Sequence, residues 1–265
     1  MARADCPHCG GSGWKTITQG ESRVAVRCEC AAEDRTAHTL ARARIPQRYL
    51  HCDFQSFDAD LQYDHGPAAE LAAWNRSLEQ ARVVVQGFAR DYPAGVEHGL
   101  LLMGPCGVGK THLAVAALQE IVLRGHTGLF YDYRELLKEI QGSYNPESPA
   151  TELGVLDPVL TAEVLLLDDL GASKPSLWAL ETLGHILNAR YNAQRVTLVT
   201  TNFQDAESAA SAPRLPSGRP AAVEDTLAER VGMRIRSRLY EMCRTLEIVA
   251  PDYRKEIRQA SRFRA

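Results

Sequence analysis

Apolar positions along this chain change period several times, and each change marks an element. From residue 98 onward, short uninterrupted apolar runs alternate with stretches whose apolar residues recur every three or four positions. The runs at 98–103, 127–132, 164–167, 196–200 and 246–249 predict strands, and the stretches at 111–123, 133–141, 176–192 and 227–243 predict helices. A run as continuous as Val164-Leu-Leu-Leu suits a strand buried on both faces. Such alternation implies parallel strands joined by crossover helices, hence an α/β fold with helices flanking one sheet. Leu177, Leu180, Leu183, Leu187 and Tyr191 are expected to form the buried face of the third helix. Leu227, Val231, Ile235, Leu239 and Met242 do so for the last.

The N-terminal part follows other rules. Residues 31–44 read as a helix that must stop near Ile45, because Pro46 disfavours helical geometry in the residue before it. Between 68 and 92, Leu71, Trp74, Leu78, Val85 and Phe88 recur near helical spacing with slips around Val83 and Val84, which predicts one or two helices. Residues 206–222, rich in Ala, Ser and Pro, read as a flexible loop. These shifts divide the chain into a small module with its helix (1–45), a connector (46–66), the α/β domain (67–255) and a basic tail (256–265). No internal repeat is visible.

The overall composition, 45% hydrophobic and 24% charged, is ordinary for a soluble protein, and no apolar run approaches the ~20 residues that span a bilayer. The first residues have no apolar stretch like that of a secretory signal, so a cytoplasmic location with no membrane partner is expected. A net charge of −3 gives no general field for nucleic acid, so any such site must be local.

Gly104-Pro-Cys-Gly-Val-Gly-Lys-Thr111 matches G-x-x-x-x-G-K-[ST] in full, between a predicted strand and a predicted helix. Glycines at 104, 107 and 109 let the backbone of Gly104, Pro105, Cys106, Gly107, Val108 and Gly109 curl its N–H groups inward at a helix N-terminus, where the dipole favours phosphate. This site predicts ATP as the ligand. Lys110 is expected to reach the β and γ phosphates, Thr111 to supply a hydroxyl to Mg²⁺, and His112 to follow within the same site. The run ending at Asp168 and Asp169 delivers two carboxylates at a strand's C-terminal edge. Asp168 is expected to hold Mg²⁺ through water, and Asp169 to orient or deprotonate the attacking water. Asn202, at the end of another strand, is placed to bond that water or the γ phosphate, though asparagine is also a common turn residue. Arg230, Arg234 and Arg238 follow one another at i+4, a spacing that costs energy and points to an anionic partner, either ATP phosphate or nucleic acid; the alternative is a solvated arginine face partly balanced by Glu229 and Glu241.

Four of seven cysteines fall in the first 30 residues, where too few residues exist to bury a core without a staple. Cys6-Pro-His-Cys9 and Cys28-Glu-Cys30 together make a tetrahedral Zn²⁺ set; four cysteines also suit an iron–sulfur cluster. Cys6-x-x-Cys9-x-Gly11-x-Gly13 resembles one zinc knuckle of the DnaJ-type chaperones, over eight residues only.

The order of Gly104–Thr111, Asp168/Asp169, Thr201-Asn202 and Ser237-Arg238-Leu239 resembles the P-loop, Walker B, sensor 1 and arginine finger of AAA+ ATPases. Gly109-Lys-Thr-His-Leu-Ala114, Leu166-Leu-Asp-Asp-Leu-Gly171, Arg190-Tyr191, Thr200-Thr-Asn202, Ser237-Arg-Leu239 and Asp252-Tyr-Arg254 look like the DnaC/DnaI-type helicase loaders and their IstB-type transposition relatives. Ile45-Pro46, Arg48-Tyr49, Phe54 and Phe57 look like the segment before the loaders' ATPase core, so the resemblance spans roughly residues 45–255. It implies an AAA+ parallel sheet without a helical lid, preceded by the zinc module. It also implies Asn202 as sensor 1, Arg238 as a finger acting on a neighbouring subunit, and Arg254 as a sensor-2 residue. The 22 residues 142–163 leave room for the extra helical element that faces single-stranded DNA in that branch. Asp169 stands where many AAA+ proteins have the longer Glu. The implied function is ATP-dependent loading of a replicative DNA helicase onto single-stranded DNA by a self-associating ATPase, the zinc module contacting the helicase. A transposition helper ATPase and a non-hydrolysing ATP switch are the alternatives.

Overall fold

The computed structural model describes residues 5–19, 22–61, 68–95, 98–145, 147, 151–205 and 225–257. The loop read at 206–222 and the tail from 258 lie outside these residues. An antiparallel ribbon, β1 (Trp14–Gln19) and β2 (Ser22–Arg27), opens the chain, followed by α1 (Glu29–Arg42) and the long α2 (Ala68–Asp91). The uncertain stretch 68–92 is thus one helix. Then come β3 (Gly99–Met103), α3 (Lys110–Leu123), β4 (Gly128–Asp132), α4 (Tyr133–Gly142), α5 (Glu152–Thr161), β5 (Val164–Asp168), α6 (Leu177–Asn192) and β6 (Val196–Thr201). Two short helices, α7 (Leu227–Val231) and α8 (Met233–Met242), precede β7 (Cys243–Glu247) and a last turn at Tyr253–Ile257.

Strands β3 to β7 form one parallel sheet in the order β4-β5-β6-β3-β7. Their side chains alternate between two cores, which explains the unbroken apolar runs. Leu100 and Leu102 of β3 pack with α2 and α3, while Leu101 and Met103 pack on the other face with α4, α6, α7 and α8. All of β5 is buried. Each fully buried leucine there contributes ~1.5–3 kcal/mol, and β3 is buried along its whole length as well. The first core also includes Leu40, Ala43, Ile45, Cys52, Phe54 and Leu61, so the end of α1 and the chain after it pack onto the α/β layer. Ala43 accepts a backbone bond from Phe130 at 2.8 Å, covering part of the edge strand β4.

Three expectations need correction. The helix read as 227–243 is broken at Gly232, whose φ of 80° and ψ of 152° cannot continue a helix; the capping box of Thr226 and Glu229 starts α7 separately. The last strand begins at Cys243 and not at 246, because pairing with β3 from Gly99↔Cys243 to Met103↔Glu247 holds this edge strand without a continuous apolar run. In α6, Leu177 is 73% exposed and drops out of the expected face; Leu183 and Leu187 are buried, Leu180 and Tyr191 pack partly buried on the same core, and Ala179, Ile186 and Arg190 join them. Arg190 is drawn in because its guanidinium donates to Thr197 Oγ1 at 3.0 Å, to the carbonyls of Val159 and Ala162 at 2.8 and 2.9 Å, and to that of Val196. Burial, reinforced by nearby Arg195, pushes its pKa down to about 9.

Candidate nucleotide site and cysteine centre

The C-terminal ends of β3, β4, β5 and β6 meet at one edge of the sheet, where the strand order departs from the chain order. Crevices at such points are the usual ligand sites of open α/β sheets. From β3 the chain enters the loop Gly104–Gly109 and then α3. Two of its glycines are sterically required. Gly107, at φ +81°, would place a Cβ 1.9 Å from Asp252 Oδ1, and Gly104, at φ +144°, would place one 2.2 Å from the Ile248 carbonyl. The segment after β7 thus lies directly on the loop, and Tyr253 N donates to Gly107 O at 3.2 Å. The Lys110 ammonium donates to the carbonyls of Gly104 and Pro105 at 2.8 and 2.7 Å, and burial brings its pKa down to about 8.

The two acids at the end of β5 have distinct surroundings. Asp168 is buried and its Oδ1 accepts from Thr111 Oγ1 at 2.8 Å and Thr200 Oγ1 at 2.6 Å. Burial raises its pKa, opposed by those two hydroxyls. Thr111 Oγ1 and the Asp168 carboxylate are hard oxygen donors side by side at 2.8 Å, so they fit Mg²⁺, with Thr111 able to serve as ligand and Asp168 to hold the ion through water. Asp169 takes a left-handed conformation, φ 58°, and its N–H donates to Thr200 Oγ1 at 2.9 Å. One hydroxyl therefore joins both acids. The carboxylate of Asp169 is held from two sides, by Asn202 Nδ2 at 2.7 Å and by Arg134 Nη2 at 3.3 Å.

These groups line a cleft of about 1170 Å³ whose wall includes residues 106–112, Asp168, Asp169, Asn202 and Arg254. His112 lies at its rim, its ring 5.5 Å from that of Phe57 and its Nε2 2.8 Å from the Asp53 carbonyl; burial lowers its pKa. Arg254 belongs to the segment over the loop, its N–H on Asp252 Oδ1 at 2.9 Å. Arg238 does not line the cleft of its own chain. It stacks 4.0 Å from the Tyr191 ring centre and donates to Glu241 at 2.8 Å. The expected arginine ladder is divided by the break at Gly232. Arg230 stacks on Phe203 and pairs with Asp225 at 3.0 Å.

Sequence reasoning missed Arg134, Thr200 as the bridge between the acids, and the part of the cleft wall supplied by Tyr49 and Phe57. Arg134 carried a signal. It follows by two residues Asp132, which ends β4 level with Asp168 and caps α4 by accepting from Arg134 N and Glu135 N.

At the N-terminal end, Cys6, Cys9, Cys28 and Cys30 bring four sulfurs within 4.8 Å of one another, with Cys6 and Cys28 at 3.7 Å and Cys9 and Cys30 at 3.4 Å. A tetrahedral ZnS₄ centre with arms of ~2.3 Å has edges of ~3.8 Å, so the four thiols fit that ion. The ribbon β1–β2 carries the chain from one pair to the other. Burial opposes ionisation of Cys9, but the N–H of Gly13, the Cys30 thiol and the N–H of Gly11 outweigh it and bring its pKa down to about 7.

The model of the IstB-like ATP binding protein family matches residues 77–211. The chain is 24% identical over 164 residues to the replicative helicase loader DnaC of Buchnera aphidicola subsp. Acyrthosiphon pisum (strain APS), covering 62% of this chain and 61% of that one. It is 30% identical over 125 residues to the replicative helicase loader DnaI of Bacillus subtilis (strain 168), covering 46% and 39%. The chain thus spans about three fifths or less of the length of these relatives. Among solved structures, a crystal structure of the DnaC helicase loader superposes with a TM-score of 0.57 at 28% identity, over 77% of this chain and 100% of that one. Among the described residues, no helix is long and apolar enough to cross a membrane.

Proposed function

The chain belongs to the IstB-like ATP-binding proteins, and from that premise we propose that it hydrolyses ATP and loads a replicative DNA helicase onto single-stranded DNA. The observation that carries the ATPase reading is the meeting of Thr111 with Asp168 and of Asn202 with Asp169 at the mouth of one phosphate-sized loop. In this reading the N–H groups of residues 104–109 receive the phosphates, and Lys110 exchanges its two loop carbonyls for the β and γ oxygens. Bound Mg²⁺, held at Thr111 and Asp168, neutralises charge on those oxygens. Asp169 takes the proton of the attacking water, with its carboxylate aimed by Asn202 and Arg134. Arg254 contacts phosphate from the segment over the loop. Arg238, turned away from its own cleft, completes the site of a neighbouring subunit, so the active form is a head-to-tail assembly.

The loader reading is supported by the names of the relatives, DnaC and DnaI, and by the fit to the DnaC fold. The cysteine module, with Zn²⁺ as its ion, contacts the helicase. A transposition helper is the second reading, supported by the resemblance to the IstB-type proteins and by the match to the IstB-like family. Co-purification with the host's replicative helicase, with and without ATP, together with an ATP turnover assay, tests the proposal. Retention of the helicase and measurable turnover are expected. Turnover without helicase binding would reject the loader role, and binding without turnover would leave an ATP-dependent switch in place of an ATPase.

A further inference from the structure

Of the three arginines on helix α8, Arg236 and Arg238 turn to opposite sides. Arg236 points inward, its Nε donating to Asp205 Oδ1 at 2.8 Å and its Nη2 to Oδ2. Tyr240 donates to the same Oδ2 at 2.7 Å and lies under the guanidinium, 4.9 Å from Cζ to the ring centre. Asp205 is only 8% exposed. Arg238, two residues on and so about 200° around the helix, leaves by the other side onto Tyr191 and Glu241.

The break at Gly232 disconnects α8 from α7, and at its other end the chain passes directly into β7. Ile235, Leu239 and Met242 bury one face, but apolar burial is non-directional and tolerates rotation of so short a helix. A two-pronged ion pair has a fixed geometry, and here it supplies the orientation.

The other end of the connection lies in the nucleotide site. Asp205 follows Asn202 by three residues on a segment anchored to the β5 edge, where Thr201 Oγ1 donates to Leu170 O at 2.8 Å and Asn202 holds Asp169. Leu227 N closes the segment onto α7 by donating to Gln204 O at 2.8 Å. We propose that Asp205, gripping Arg236 and Tyr240, is a positioning residue that locks the rotation of α8 and so presents Arg238 to the neighbouring subunit. The proposal rests on the reading that Arg238 acts in trans.

A mixing experiment separates the two. Arg238→Ala contributes an intact P-loop and Lys110→Ala an intact finger, so their mixture hydrolyses ATP at hybrid interfaces if Arg238 acts in trans. Asp205→Asn is then added to one partner at a time. In the finger donor it lowers turnover roughly 10- to 100-fold at an unchanged KM for ATP, the cost typical of a reacting group displaced by about 1 Å. In the P-loop donor it changes turnover by less than about twofold, because that subunit's Arg238 is already absent. Arg236→Gln repeats the asymmetry without touching Asp205, and Arg236→Lys restores part of the rate. Equal loss in both arrangements, as from a merely structural anchor, or no loss in either, overturns the positioning role. An inactive starting mixture, under conditions where wild-type subunits turn over ATP, overturns the trans reading of Arg238 and the proposal with it.

Discussion

Replacing Asn202 by Ala removes the shorter of the two bonds that aim Asp169, the one at 2.7 Å to Oδ1. The remaining donor, Arg134, stands at 3.3 Å with its side chain 53% exposed, so solvent screens it and it holds the carboxylate less firmly. A hydrogen bond to a charged group contributes about 1.5–3 kcal/mol. If that bond serves to orient the base, its loss falls on the transition state, and kcat drops roughly 10- to 150-fold. Asn202 bonds none of the loop residues 104–109, so the Kd for ATP is expected to stay within about twofold, as for an interaction made only in the transition state. Single-turnover hydrolysis at saturating ATP gives the first quantity, and titration with a fluorescent nucleotide gives the second. The reasoning is refuted if kcat is unchanged, or if Kd weakens by as much as kcat falls. The second result would make Asn202 a binding residue.

Lys110→Ala should abolish ATP binding by calorimetry, whereas Asp169→Asn should bind normally and lose hydrolysis; equal loss of binding in both rejects the division of roles. Elemental analysis should find one Zn²⁺ per chain, absent from Cys6→Ser/Cys9→Ser, which still hydrolyses ATP. Freshly purified wild-type protein without metal rejects the centre, and iron in its place converts the assignment to a cluster. Arg190→Met leaves three backbone carbonyls and the Thr197 hydroxyl without their donor. At about 1 kcal/mol for each, less the relief of a buried charge, the loss is roughly 2–4 kcal/mol. At about 2–4 °C per kcal/mol for a chain of this size, the melting temperature falls by roughly 5–15 °C. A melting temperature within about 2 °C of wild type would show that these bonds contribute little net stability.

The chemistry with local causes was legible in the chain. A phosphate loop needs glycines and a lysine within eight consecutive residues, a buried strand announces itself as an apolar run, and two close cysteine pairs suffice to suggest a metal centre. Gly104–Thr111, Asp168 and Asp169 could therefore be read before any packing was known, as could the alternation of strands and helices. The bond from Asn202 to Asp169 was not legible, nor was the hydroxyl of Thr200 between the acids. Both depend on β6 lying beside β5 and β3, a strand order that covalent sequence does not express. Arg134 reaches Asp169 only because β4 pairs with β5 so that Asp132 and Asp168 end level. Arg236 and Arg238, two residues apart on one helix, must leave by different sides, but packing decides that Arg236 meets the buried carboxylate of Asp205 and Arg238 the ring of Tyr191. Period and composition determine what each segment becomes; sheet register and side-chain packing, which join residues tens of positions apart, decide which charges meet.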